Sequence, residues 1–106
     1  MNARVENHTL FLTPETDLVA SRIESLRNYF AEKMAAHPET TQVVLDVHGV
    51  ETVDSLGVNL IVGLYREAAA ASKTMEIVGA NEKFMKVARF FRLPAIFTIH
   101  QEKAGS

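Results

Sequence analysis

The apolar positions change their period several times along the chain, and each change marks an element. "VENHTLFL", residues 5–12, alternates loosely and predicts one strand or the arm of a short hairpin. "TPETD" interrupts it, because Pro14 cannot donate to a sheet ladder and Thr and Asp favour turns and caps. From Asp17 onward Leu18, Ile23, Leu26, Phe30 and Met34 recur near helical spacing, with Arg22, Glu24, Arg27 and Glu32 between them. Asp17 is the expected N-cap of this helix, and Pro38 bounds its end.

"QVVLDV" is short, apolar and rich in β-branched residues, as in a strand buried on both faces. The next helix is expected to begin at Ser55 and run through "LGVNLIVGLYREAAAAS" to Ser72. "TMEIVGA" reads as another strand. "NEKFMKVARFFRL" reads as an amphipathic helix with Phe84, Val87, Ala88 and Phe91 on one face, stopped before Pro94. "AIFTIH" closes the series as a short strand. Strand–helix–strand links of this length imply parallel pairing, and the right-handed crossover rule limits the topologies. The expected fold class is α/β, a mixed sheet of about four or five strands with helices packed on it.

Composition narrows the function classes. At 106 residues the chain holds one core, and a net charge of −2 gives no reason to expect nucleic acid or an anionic membrane as partner. Without cysteine there are no disulfides, thiolates or cysteine-ligated zinc, which suits a reducing cytosol. No secretory signal and no apolar run of about 20 residues is visible, so a cytoplasmic protein is expected. The four histidines and scattered acids show no metal spacing, and Gly57 and Gly63 form no phosphate-binding loop. No cofactor is expected. Lys83, Lys86, Arg89 and Arg92 read as a solvated face of the third helix.

The stretch "VDSLG", residues 53–57, carries the candidate chemistry, and three readings compete for Ser55. A hydrolase nucleophile elbow requires G-x-S-x-G on a strand-to-helix turn, and here Val53 stands where the first glycine belongs. A general base would have to come from His8, His37, His48 or His100. His48 is nearest, yet it precedes the turn on the same predicted strand. In the second reading Asp54 or Ser55 only caps the helix, satisfying free backbone N–H groups. In the third, Ser55 is a phosphate acceptor. A phosphoserine carries roughly −1.5 to −2 charges at pH 7. At a helix N-terminus that charge meets the positive end of the macrodipole, so the fold tolerates it while a partner surface must accept or reject it. The helix that follows is apolar nearly all round until Arg66. Leu60, Ile61, Leu64 and Ala68 suit the sheet, which leaves Val58, Val62, Tyr65 and Ala69 on another flank, either exposed to a partner or covered by neighbouring helices.

Over nearly its whole length, and most strongly from Gln42 to Ile99, the chain resembles a STAS domain of the anti-sigma factor antagonist family. The resemblance lies in an apolar strand ending in Asp46, a short turn, and then Asp54-Ser55-Leu56-Gly57 opening a helix. The "EIVGA" strand, its amphipathic helix and a Leu-Pro-x-x-Phe-like segment continue it. It implies a single STAS-like domain over residues 1–106, with a core of about 4–100 and a frayed C-terminal tail, "EKAGS". It implies a non-catalytic, phosphorylation-controlled antagonist, with Ser55 the acceptor of a serine kinase/anti-sigma factor of histidine-kinase-like ATPase fold. A serine phosphatase would remove the phosphate. Asp54 and Gly57 would shape the acceptor loop, with Asp46 nearby and Asp17 matching an acid after the second strand. These four, with Val58, Val62 and Tyr65, form the expected partner surface. Pro14 and His48 stand where the family commonly has glycine and serine or threonine. The alternative is a constitutive STAS scaffold or subunit of a larger complex, stressosome-like or lipid-transporting, with Ser55 only a cap.

Overall fold

The computed structural model describes residues 1–102. The chain begins with a hairpin, β1 (Asn2–Glu6) and β2 (Thr9–Thr13), in antiparallel register from Asn2↔Thr13 to Glu6↔Thr9. Asn7 and His8 form its two-residue turn, and both adopt the left-handed backbone (φ 48° and 65°) that such a turn requires. Then follow α1 (Ile23–Ala36), β3 (Gln42–Asp46), α2 (Ser55–Ala70), β4 (Thr74–Ala80), α3 (Glu82–Phe90) and β5 (Thr98–Gln101). The strands lie in chain order β1-β2-β3-β4-β5, with every pair after the first parallel. This is the α/β class, with a five-stranded mixed sheet and three helices.

Each successive crossover moves one strand in the same direction, so a right-handed connection puts every helix on the same face. The core agrees. Leu10, Leu12, Val43, Leu45, Met75 and Ile77, one parity of each strand, join Leu26, Phe30, Ile61, Leu64, Phe84 and Ala88 in a single cluster. The opposite parity aligns Arg4, Phe11, Val44, Glu76 and Thr98 across the sheet. Val44 is only 4% exposed on that face, flanked by Phe11 and Glu76, with Arg4 lying 4.2 Å from the Phe11 ring centre. The burial of β3 on both sides thus comes from helices on one face and long side chains on the other.

Several helix boundaries differ from the sequence pattern, α2 ending at Ala70 and not at Ser72. Asp17 is not an N-cap: α1 starts six residues later, after a single 3-10 turn at Ala20–Arg22. Leu18 instead forms a parallel bridge with Val53, which holds residues 17–19 extended. α3 ends at Phe90, and Arg92 turns left-handed (φ 58°) into a second 3-10 turn, Leu93–Ala95. The buried face of α3 is therefore Phe84, Met85 and Ala88, with Val87 partly buried and Phe91 exposed. The expected tail lies, from Lys103 on, outside the described residues. Among the described residues no helix is long and apolar enough to cross a membrane.

Candidate functional site

The loop between β3 and α2 stands at the edge of the sheet where the parallel strands end, and it is tied down from both sides. On one side the chain after β2 clamps it. Asp17 Oδ1 accepts from the backbone N–H groups of Glu51 (3.0 Å) and Thr52 (3.1 Å). The Leu18 N–H donates to Thr52 O (3.0 Å), and the Asp54 N–H donates to Leu18 O (3.1 Å). On the other side Asn81 Nδ2 donates to Val50 O at 3.0 Å, while Asn81 Oδ1 caps α3 by accepting from the Phe84 N–H at 2.8 Å. Below the loop, Asp46 Oδ1 accepts from the His48 N–H (2.9 Å), and Gly49 (φ 84°) turns the chain.

Asp54 is the N-cap of α2. Its extended backbone (φ −104°, ψ −176°) places Oδ1 to accept from the Gly57 N–H at 2.9 Å. Oδ2 accepts from the Ala20 N–H at 3.0 Å, so one carboxylate joins the helix start to the opposite loop. The Gly57 N–H is the main reason this carboxyl is held below its ordinary value; partial desolvation works against it, and the Ala20 N–H adds to the lowering. Gly57 is required by packing: a Cβ there would lie 2.1 Å from Leu18 O, well inside contact distance. Gly79 (φ 76°) does the same service under the loop, where a Cβ would meet Asp46 Oδ1 at 2.8 Å.

Ser55 is therefore the first residue of α2 and not its cap. It is exposed, as is Leu56 beside it (47%), and it enters none of the side-chain hydrogen bonds that build the loop. A hydroxyl here has solvent access while the backbone around it is fixed. The arrangement can present the serine to another protein's active site, and the helix N-terminus favours negative charge on it.

Of the expected surface residues, the structure brings Asp17, Asp46, Asp54 and Gly57 into one network around this loop. Each acts within the chain, as an acceptor of backbone N–H groups or as a close-packed backbone. The expected apolar flank of α2 is not an open face. Val58 is buried in the core (4% exposed), Val62 packs against it, and the Tyr65 ring lies 5.5 Å from that of Phe97. Phe97, just before β5, covers Tyr65, and of the four only Ala69 is exposed. The sequence reading missed Asn81, placing it inside the third helix. An Asn between a strand and an amphipathic run is the available cap signal.

The chain is a single compact α/β domain in which a braced loop opens a helix. The family model described as "Mlab, STAS domain" matches residues 1–98, and the chain belongs to the STAS domain family. Among solved structures it is similar to TM1081 of Thermotoga maritima, a candidate anti-sigma factor antagonist. That pair is 17% identical with a TM-score of 0.86, covering 97% of this chain and 86% of that one. It is similar also to an anti-sigma-factor antagonist (STAS) domain protein of Planctomyces limnophilus (15% identical, TM-score 0.79, 96% and 90% covered). A third is the Bacillus cell fate determinant SpoIIAA in its phosphorylated form (18% identical, TM-score 0.66, 97% and 91% covered). At these identities the likeness is one of fold. No curated protein sequence matches the chain.

Proposed function

We propose that the chain is a phosphorylation-controlled anti-sigma factor antagonist of a partner-switching pathway, with Ser55 the switch. In this reading the unphosphorylated protein binds a serine kinase/anti-sigma factor, and the phosphorylated protein releases it. A serine phosphatase resets the state. The protein is substrate and ligand for these partners, without an active site of its own, in the cytoplasm. The observation that carries the reading is an exposed hydroxyl on the first residue of α2, next to a cap that is already satisfied by Asp54. Phosphate added there disturbs no hydrogen bond of the loop, and it changes the charge presented to a partner by roughly −2. A fold relative solved in a phosphorylated form is consistent with it.

The test is phosphoryl transfer from labelled ATP in an extract of the native cells. Wild type is expected to take one phosphate and Ser55→Ala none, while Ser55→Ala still binds the kinase. Ser55→Asp is expected to bind that kinase at least about ten-fold more weakly, as a charge repelled at a desolvated contact would. Equal binding of Ser55→Asp and wild type would remove the charge-switch argument. The alternative within the same family is a constitutive STAS scaffold or subunit of a larger complex, stressosome-like or lipid-transporting. It differs in one readout: association that is indifferent to ATP and to Ser55→Asp.

A further inference from the structure

Three large apolar side chains remain at the surface where α3 ends. Phe90 is 81% exposed, Phe91 40% and Ile96 41%, and the two phenyl rings pack edge to face with centres 5.1 Å apart. Lys86 lies one turn before Phe90, and residues four apart share a helix face. Arg89 and Arg92 flank the phenyl pair in the chain. Residues 82–92 carry four cations against the single acid Glu82, a local net of +3 on a chain whose net is −2. Glu82 engages Arg89 at 3.6 Å, and Lys86 and Arg92 enter no ion pair among the described residues. The whole-chain charge, which gave no reason to expect an anionic membrane, averages over this asymmetry.

The patch stands away from the serine. α3 starts against the acceptor loop, where Asn81 holds Val50 O, and then runs back across the sheet for about 13 Å. Its far end leads into β5, which pairs in parallel with β4 and so begins at the opposite edge. The patch and Ser55 therefore lie toward opposite ends of the parallel strands.

We infer that this patch seats on an anionic lipid surface. Phe90, Phe91 and Ile96 enter the zone between headgroups and acyl chains, and Lys86, Arg89 and Arg92 meet lipid phosphates. Size decides against a protein surface as the occupant. Six residues between Lys86 and Ile96 fall far short of the roughly 20–30 a side of a stable protein interface. A lipid interface needs no matching shape, only protruding apolar groups ringed by cations. The acidic remainder of the chain does not prevent contact. The molecule extends 34 × 31 × 24 Å, so most of that charge lies beyond the Debye length of about 8 Å at physiological salt.

The experiment is cosedimentation of the full chain with vesicles of phosphatidylcholine alone, and of phosphatidylcholine and phosphatidylglycerol at about seven to three, a composition that supplies the anionic surface the patch requires. Binding is expected on the anionic vesicles only, and it is expected to be lost near 1 M salt, where screening acts over about 3 Å. Arg92→Glu should weaken it by more than about five-fold, the effect of losing a single positive charge near such a surface. Phe90→Ser should weaken it by about ten-fold or more, from lost apolar burial. Both side chains are exposed, so an unchanged melting temperature shows that the variants remain folded. Ser55→Asp should bind vesicles as wild type does, which keeps this proposal separable from the switch. Absence of binding, equal binding to both vesicle types, or indifference to Phe90→Ser would overturn it.

Discussion

Asp54 joins two distant pieces of backbone through one carboxylate, taking the Gly57 N–H on one oxygen and the Ala20 N–H on the other. Its removal should therefore cost more than a simple cap. Asp54→Ala is expected to lower the urea midpoint, by more than loss of a cap that holds one N–H alone. The same bonds give a pH dependence of known sign. The folded carboxyl titrates below the unfolded reference of 3.8, so its stabilisation is fully present above that value. It is lost as pH falls from there through the lower folded value. Thermal unfolding of wild type and Asp54→Asn between about pH 5 and pH 2 should show the difference between them shrinking as the pH drops. Asp54, Ser55 and Gly57 were legible in the sequence as a motif, because caps and glycines have local signatures. What Gly57 answers to was not: the obstacle is Leu18 O, which sits 39 residues away in the chain and reaches Gly57 only through the folded bridge.

Among the elements, α2 carries the clearest contrast between its two interior glycines. At Gly57 a methyl group has no room, and Gly57→Ala is expected to destabilise by about 2–3 kcal/mol or to displace the Leu18 strand segment. At Gly63 a Cβ would meet nothing within 4 Å, so Gly63→Ala is expected to stabilise by about 0.5–1 kcal/mol through backbone entropy. Chemical denaturation of the two variants measures both signs at once. The three helices and β2 to β5 were visible as changes of apolar period, since that period reports burial. β1 is mostly exposed, and the expected single strand at residues 5–12 spans its end, the turn and most of β2. Boundaries and flanks were less visible for particular reasons. Leu18 belongs to the apolar series of α1 but is spent on a bridge to Val53, so the helix starts late. α2 is apolar nearly all round because Val62 packs against the core and Tyr65 against Phe97, contacts that a pattern within one helix does not reveal. Phe91 continues the period of α3, yet Arg92 breaks the helix there and Met85 takes the buried place.

At the scale of the whole molecule, three helices on one face leave the ends of the sheet to do different work. One end holds the braced loop with Ser55, and the other ends in the phenyl pair of α3. A switch of this kind should alter what the surface offers while sparing the fold. The helix N-terminus favours an added negative charge by about 0.3–1 kcal/mol, and the adjacent carboxylate of Asp54 opposes it. Ser55→Asp is accordingly expected to unfold within about 0.5 kcal/mol of wild type, with binding the property that changes. The most direct test of the switch is the intact mass of the protein purified from its native cells, with peptide mapping of any phosphate. A phosphate on Ser55 that a serine phosphatase removes is the expected result. A protein that carries no phosphate on Ser55 under any growth condition would contradict it.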